Sequence, residues 1–405
     1  MKRFHLFITA TVFMCIATML GACTMMEEED CSDCPSGLYV NFVYDYNIQR
    51  ADMFKDHVGY VTVYVYDESG KKVAEKSIGN VDGYTPLNDY GYPMHFSEQE
   101  LPTNHRYYLQ AVAMQKDWDD ALRTPGAKYH RTAVSQLYDL KIDLDHDKYA
   151  IPGAPATGPH AVSNAAPLDT LWHTLKVMPQ EPYYGYEEKA PLKTTAPYSI
   201  YPMEDQMVTL KEGYATYATV SLIRDTKHLN LTIHQIDEPA DIYASDFEVT
   251  IVDDNATLSF DNSVIPSDSL QYTPYATWTT TFGENGLGIE YGPRPKAVDN
   301  TDVISRAAHY DLMFNRLMFN SNSEKSAKLC IRNRDTKEIV GYFNLPHMLA
   351  EGRTAWELYH YTPQEYLDRE YNYKLELFLL DGKWKYMDIH IDVLSWTRRL
   401  QNVEF

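Results

Sequence analysis

Apolar residues recur at every second position through most of the chain, and that period predicts strands with one face turned to a core. Leu38, Val40 and Phe42 alternate with Tyr39 and Asn41. Val61, Val63 and Val65 alternate with Thr62, Tyr64 and Tyr66, and Leu140, Ile142 and Leu144 with Lys141 and Asp143. The pattern returns at Leu229, Leu231 and Ile233 and at Phe247, Val249 and Ile251. Asp67-Glu-Ser-Gly70 follows the second run as a turn. Asp381-Gly382 joins two long runs between Tyr371 and Val393, and this dipeptide accepts the positive φ of a tight hairpin.

Helical signals are few. Thr362-Pro-Gln-Glu365 has capping-box spacing with Pro363 at the first helical position, predicting a brief helix that ends by Tyr371. Gln49 to His57 predicts one further helix or turn. The 33 tyrosines, many alternating with aliphatics, suit pleated surfaces. The expected fold is all-β, with Greek-key β-sandwich domains in tandem and few short helices. Nine prolines between Ile151 and Pro202 break the pattern, and proline removes ladder donors. A boundary is therefore expected near Ala190, giving an N-terminal sandwich over 38–190 and a C-terminal one over 191–405.

The N-terminus has a different texture. Lys2 and Arg3 precede an apolar run from Leu6 to Leu20, the layout of a secretory signal peptide over residues 1–22. Leu20-Gly21-Ala22-Cys23 resembles the bacterial lipobox, whose cysteine is acylated and becomes the mature N-terminus. The only cofactor-like group expected is this covalent lipid on Cys23. One acyl chain anchors only marginally, so two or three would be needed for durable attachment. Glu27, Glu28, Glu29 and Asp30 then resemble the acidic export signal of surface-exposed outer-membrane lipoproteins in Bacteroidetes-type bacteria, a solvated acidic spacer being the alternative. Residues 23–37 would form the tether.

Charge narrows the partners. The whole chain carries −21, and loss of residues 1–22, whose only charges are Lys2 and Arg3, leaves about −23. Such a surface argues against nucleic acid. Cys31 and Cys34 have redox or zinc spacing, but no second CxxC or His pair completes a tetrahedral site; a local disulfide is the expectation. Cys330 is expected on the face opposite Leu329 and Ile331, beside Lys328 and Arg332. Asp143, Asp145 and Asp147 mimic half a calcium loop, but Lys148 replaces its turn glycine and Ala154 its closing glutamate, so no metal is expected. His57, His309 and His360 cannot be assigned to a shared site. No nucleophile, metalloprotease or phosphate-loop motif is present, and no residue is assigned as catalytic.

Longer segments are more specific. Cys31 to Asp67 resembles the opening of the FimB-type fimbrial anchor lipoproteins of Bacteroidetes. Leu171-Trp-His, Val220-Ser-Leu-Ile-Arg-Asp-Thr-Lys227 and Val393-Leu-Ser-Trp-Thr-Arg-Arg399 carry the likeness onward. The resemblance implies two transthyretin-like sandwiches and a role in holding a fimbrium to the outer membrane and limiting its length, with a fimbrial structural subunit as partner. Strand addition would make the C-terminus the donor, through Ile389, Ile391, Val393, Trp396, Leu400, Val403 and Phe405. The alternative is that this segment is simply the last strand of its own sandwich. The rival function is a glycan-binding surface lipoprotein, whose mark would be clustered exposed aromatics.

Overall fold

The computed structural model describes residues 35–79, 93–146, 160–162, 166–180, 207–237, 241–283, 286–293, 303–320, 322–354, 358–393 and 396–404. Four sheets contain the described strands. The first runs in the order Lys72–Gly79, Tyr60–Tyr66, Arg106–Met114, Leu171–Gln180, Ala215–Arg224, Gly37–Val43, Met94–Phe96, with Met207–Thr209 also paired to Arg106–Met114. The second runs Gly286–Glu290, Ala276–Gly283, Val303–Phe314, Lys227–Gln235, Asn372–Leu380, Lys383–Val393, Trp396–Glu404. The third is Ile339–Asn344, Lys328–Asn333, Phe247–Asp253, Leu270–Tyr272, His160–Val162. The fourth is Val264–Ile265, Thr257–Ser259, Lys141–Leu144, Tyr129–Arg131. The fold is all-β, as the alternation requires, with helices of four to seven residues at Phe54–His57, Trp118–Arg123, Leu345–Ala350 and Pro363–Arg369.

Two cores organise these sheets. Leu38, Val40 and Phe42 pack with Val61, Val63, Val65, Leu109, Trp172 and Val220 in a core supplied almost wholly by the first sheet. A larger one gathers Leu229, Leu231, Ile233, Tyr310 and Leu375 from the second sheet against Phe247, Val249, Ile251 and Leu329 from the third. Alternation located these faces but undercounted burial. Tyr64 and Tyr66, on the other face of Tyr60–Tyr66, are also buried and join the larger core. Cys330, on the strand face opposite Leu329 and Ile331, is likewise buried and free.

The halves of the chain exchange strands. Lys141–Leu144 pairs with Thr257–Ser259, and His160–Val162 runs parallel to Leu270–Tyr272. Ala215–Arg224 pairs parallel with Gly37–Val43 inside the first sheet. The expected boundary at Ala190 falls outside the described residues. The described passage from first to second sheet comes at Asp225-Thr226, between Arg224 and Lys227.

Local signals are realised where the physics is local. Asp381 and Gly382 take φ of 52° and 70°, closing a two-residue turn between Leu380 and Lys383. Thr362 Oγ1 accepts from the Glu365 backbone N–H at 3.1 Å and starts the helix Pro363–Arg369. Gln49 to His57 resolves to the single turn Phe54–His57.

Candidate functional site

The passage between sheets is the most unusual place in the molecule. Arg224, Asp225, Thr226 and Lys227 are consecutive polar residues, all buried. Desolvation would make that prohibitive unless each is satisfied. Asp225 Oδ2 lies 2.6 Å from His173 Nδ1, on the neighbouring strand of the first sheet. Thr226 Oγ1 accepts from the Leu171 backbone N–H at 3.0 Å and donates to the Asp169 carbonyl at 3.2 Å. The Arg224 guanidinium stacks over the Tyr371 ring at 4.3 Å, and its Nε donates to the Thr226 carbonyl. Lys227 Nζ donates to the carbonyls of Asp368 and Glu370 at 2.7 and 2.9 Å. Burial lowers its pKa from 10.5 to about 8, the guanidiniums of Arg316 and Arg224 adding to the effect while Asp368 and Asp225 oppose it.

A second ring of contacts secures these partners. Arg316 and Asp368 form a bidentate pair at 2.6 and 2.8 Å, both buried, and Arg316 Nη1 donates to the Asn262 carbonyl. The Tyr129 hydroxyl donates to Asn315 Oδ1 at 2.6 Å. Asn255 Nδ2 donates to the carbonyls of Asn315 and Arg316, and Tyr272 donates to Asn255 Oδ1. The C-terminal end of Pro363–Arg369 docks on the N-terminal half: Ile48 N–H donates to the Arg369 carbonyl, and the Arg369 guanidinium lies over the Tyr46 ring at 4.0 Å. Chemically the site is a clamp. It has the charges of a catalytic centre, but they are buried and each is turned to a structural partner among the described residues, leaving only Asp225 Oδ1 and His173 Nε2 of the central pair buried without a hydrogen bond there.

Other sequence-predicted residues lie apart from it. Asp143 accepts from Thr257 Oγ1 and Asp145 pairs with His130, while Asp147, Lys148 and Ala154 fall outside the described residues. No metal-binding group of His, Cys, Asp or Glu occurs among the described residues. His57 lies edge-on to Tyr44 and Tyr371, His360 beside Tyr359, and His309 stacks on Trp278, so the three share no site. Ile389 is buried in the larger core. Ile391 and Val393 end the strand that pairs with Trp396–Glu404, which holds Trp396, Leu400 and Val403 and forms an edge of the second sheet. Cys23, Glu27, Glu28, Glu29, Asp30, Cys31, Cys34 and Phe405 are outside the described residues. No described helix is long and apolar enough to cross a membrane.

Sequence reasoning found Arg224 to Lys227 only as part of a resemblance, and missed Arg316, Asp368 and Asn315. One local signal was present: Arg316 interrupts the apolar run Met313-Phe-Asn-Arg-Leu-Met-Phe319, where an unpaired charge could not be buried.

Comparisons with known proteins agree with the fold. No curated protein matches. Among solved structures, a candidate adhesin from Bacteroides thetaiotaomicron is 21% identical, covers 90% of this chain and 98% of its own, and superposes with a TM-score of 0.61. A candidate polysaccharide-binding protein from the same organism is 22% identical, over 91% and 99%, with a TM-score of 0.59. The fimbrial anchor protein Mfa2 from Porphyromonas gingivalis is 15% identical, over 92% and 100%, with a TM-score of 0.50. The profile of the fimbrillin-A associated anchor proteins Mfa1 and Mfa2 matches residues 30–402, and the chain belongs to that family of fimbrial anchors.

Proposed function

We propose that the chain is an outer-membrane lipoprotein, acylated at Cys23, that holds the base of a fimbrium at the cell surface and limits its length. The observation that carries this reading is the parallel pairing of Gly37–Val43 with Ala215–Arg224 over seven register positions. A lipid pulls Gly37 back along its strand, while a filament held through the C-terminal half pulls Arg224 forward along the neighbouring one. The pair is then loaded in shear, so its hydrogen bonds resist together instead of opening one by one. The buried clamp at Arg224 to Lys227 carries the tension onward. Glu27 to Asp30 serve export and Cys31 and Cys34 close a local disulfide. The fimbrial structural subunit joins at the C-terminal edge strand Trp396–Glu404, beyond the core position of Ile389.

The test is genetic. Cys23→Ser is expected to lose palmitate labelling and to release a folded body, with its fimbriae, into the medium. Deletion of Thr397 to Phe405 should leave an acylated, folded protein that no longer retains them. An unlabelled Cys23→Ser protein still held in the outer membrane would refute the lipid anchor, and normal retention after the deletion would refute the C-terminal junction.

One observation favours a second reading, glycan binding. The second sheet stacks Trp278 on His309 at 5.1 Å and Phe378 on His234 at 4.8 Å, amid Asn230, Asp311 and Glu376. A polysaccharide pulldown lost in Trp278→Ala would support it.

A further inference from the structure

Sheet edges are where a β-protein is open to other chains, because their outward N–H and C=O groups lack ladder partners. Most edges here are blunted. Lys72–Gly79 carries Lys72 and Lys76 in ion pairs with Glu75 and Glu100. Tyr129–Arg131 carries His130 and Arg131, and Trp396–Glu404 is the edge already assigned above to the fimbrial subunit. Met94–Phe96, His160–Val162 and Val264–Ile265 are only two or three residues long. Ile339–Asn344 has no charge, but the Trp384 indole N–H caps its Val340 carbonyl.

Gly286–Glu290, the other edge of the second sheet, has none of these protections before its terminal Glu290. Leu287, Ile289 and Tyr291 are 73, 56 and 76% exposed, and Phe282, paired opposite Leu287, is 52% exposed. Spacing of two puts Leu287, Ile289 and Tyr291 on one face, and Phe282 widens that stripe by a strand. On the other face Gly288 lies flush against Thr281, whose Oγ1 would be 2.7 Å from an added Cβ. The backbone there sits close on its neighbour, while the far side of the strand pairs with nothing among the described residues.

We infer that this edge binds an extended strand of another polypeptide, one with apolar side chains at every second position and neutral or cationic residues between them. Area and charge select that occupant over a second copy of the chain. The four side chains expose on the order of 400–500 Å² of apolar surface, against about 800 Å² per partner in a standard interface. Strand addition needs less, because backbone hydrogen bonds give affinity and alternate side chains give specificity. Two copies carrying −21 each also repel, whereas a neutral or cationic strand does not. The site is at the opposite edge of the sheet from Trp396–Glu404 and requires neither the lipid nor a fimbrium.

The experiment uses the detergent-solubilised full-length chain and a labelled nine-residue peptide alternating Ile with Thr and Lys. Fluorescence anisotropy should show saturable binding, and amide exchange should slow at 286–290. Leu287→Lys with Ile289→Lys should weaken binding about tenfold or more, since two apolar contacts are lost. A peptide with proline at its centre should bind more weakly as well, because proline cannot complete the ladder. Both substitutions sit at exposed positions, and an unchanged circular-dichroism melt verifies that the fold is kept. Equal binding by the double variant, protection at Trp396–Glu404 instead, or a dimer that the substitutions dissociate would each overturn the proposal.

Discussion

Arg316 and Asp368 lie at the centre of the clamp, both buried, and their value depends on both being present. Asp368→Asn keeps the shape but leaves a buried guanidinium without its counter-charge, and a broken buried pair costs about 3–5 kcal/mol. Chemical denaturation should show that loss, whereas Arg316→Met with Asp368→Leu together should cost far less, because no charge is then stranded. A double replacement as harmful as the single one would show that geometry, not charge pairing, holds the site. Lys227 gives a pH signature. Below about pH 8 it is charged in both folded and unfolded chains, and the cost of burying it is fully present. Between about 8 and its ordinary 10.5 the folded lysine is neutral while the unfolded one still binds its proton, so stability rises with pH. The full gain is on the order of 3 kcal/mol. Above pH 10 buried tyrosines such as Tyr44 and Tyr129 reverse the trend: burial holds their hydroxyls protonated in the folded state alone. Stability is therefore expected to climb from pH 8 toward 10, and Lys227→Met should flatten that climb. A flat profile in the unaltered protein would refute it.

At the scale of elements, what the sequence made legible was what depends on near neighbours. Alternation located Gly37–Val43, Tyr60–Tyr66 and Lys227–Gln235, the Asp381-Gly382 pair located a hairpin, and Thr362 located a helix start. Each of those signals lies within a few residues of the feature it specifies. Period two, however, reports only that one face is apolar. It could not show that Tyr64 and Tyr66 are covered from the opposite side by the larger core, or that Cys330 is buried on the face it shares with Lys328 and Arg332. The clamp was illegible for the same reason. Lys227 is satisfied by carbonyls 141 and 143 residues away, Asp225 by a histidine 52 away, and Tyr129 by an asparagine 186 away. A run of four polar residues across the join of two strands reads locally as a turn, and only the tertiary partners make it a buried joint.

The whole molecule is interlocked beyond what a proline-rich divide near Ala190 suggested, and this bears on how it unfolds. Strands Lys141–Leu144 and His160–Val162 complete sheets whose other members include residues from 247–344, while Ala215–Arg224 remains in the first sheet. The larger core is equally shared: Tyr64, Trp118 and Ile142, with Leu258 paired opposite Ile142, belong to one continuous cluster with Leu229 and Phe247. A chain of this length would ordinarily melt domain by domain. Here neither half can leave without stripping the other of strands and exposing its core. We therefore expect one cooperative thermal transition, with far-ultraviolet and near-ultraviolet circular dichroism superimposing across it. Residues 227–405 expressed alone should fail to fold, because Leu258 and Tyr272 would lose the strands that pair beside them. Asp368→Asn should lower the whole transition instead of splitting it, since the helix that carries Asp368 also seats Arg369 against Tyr46 and Ile48 of the N-terminal half. Two separated transitions, or a stable isolated C-terminal fragment, would show that the halves are independent sandwiches joined only at the clamp. Under the proposed anchoring role, the load would then be borne at Arg224 to Lys227 alone.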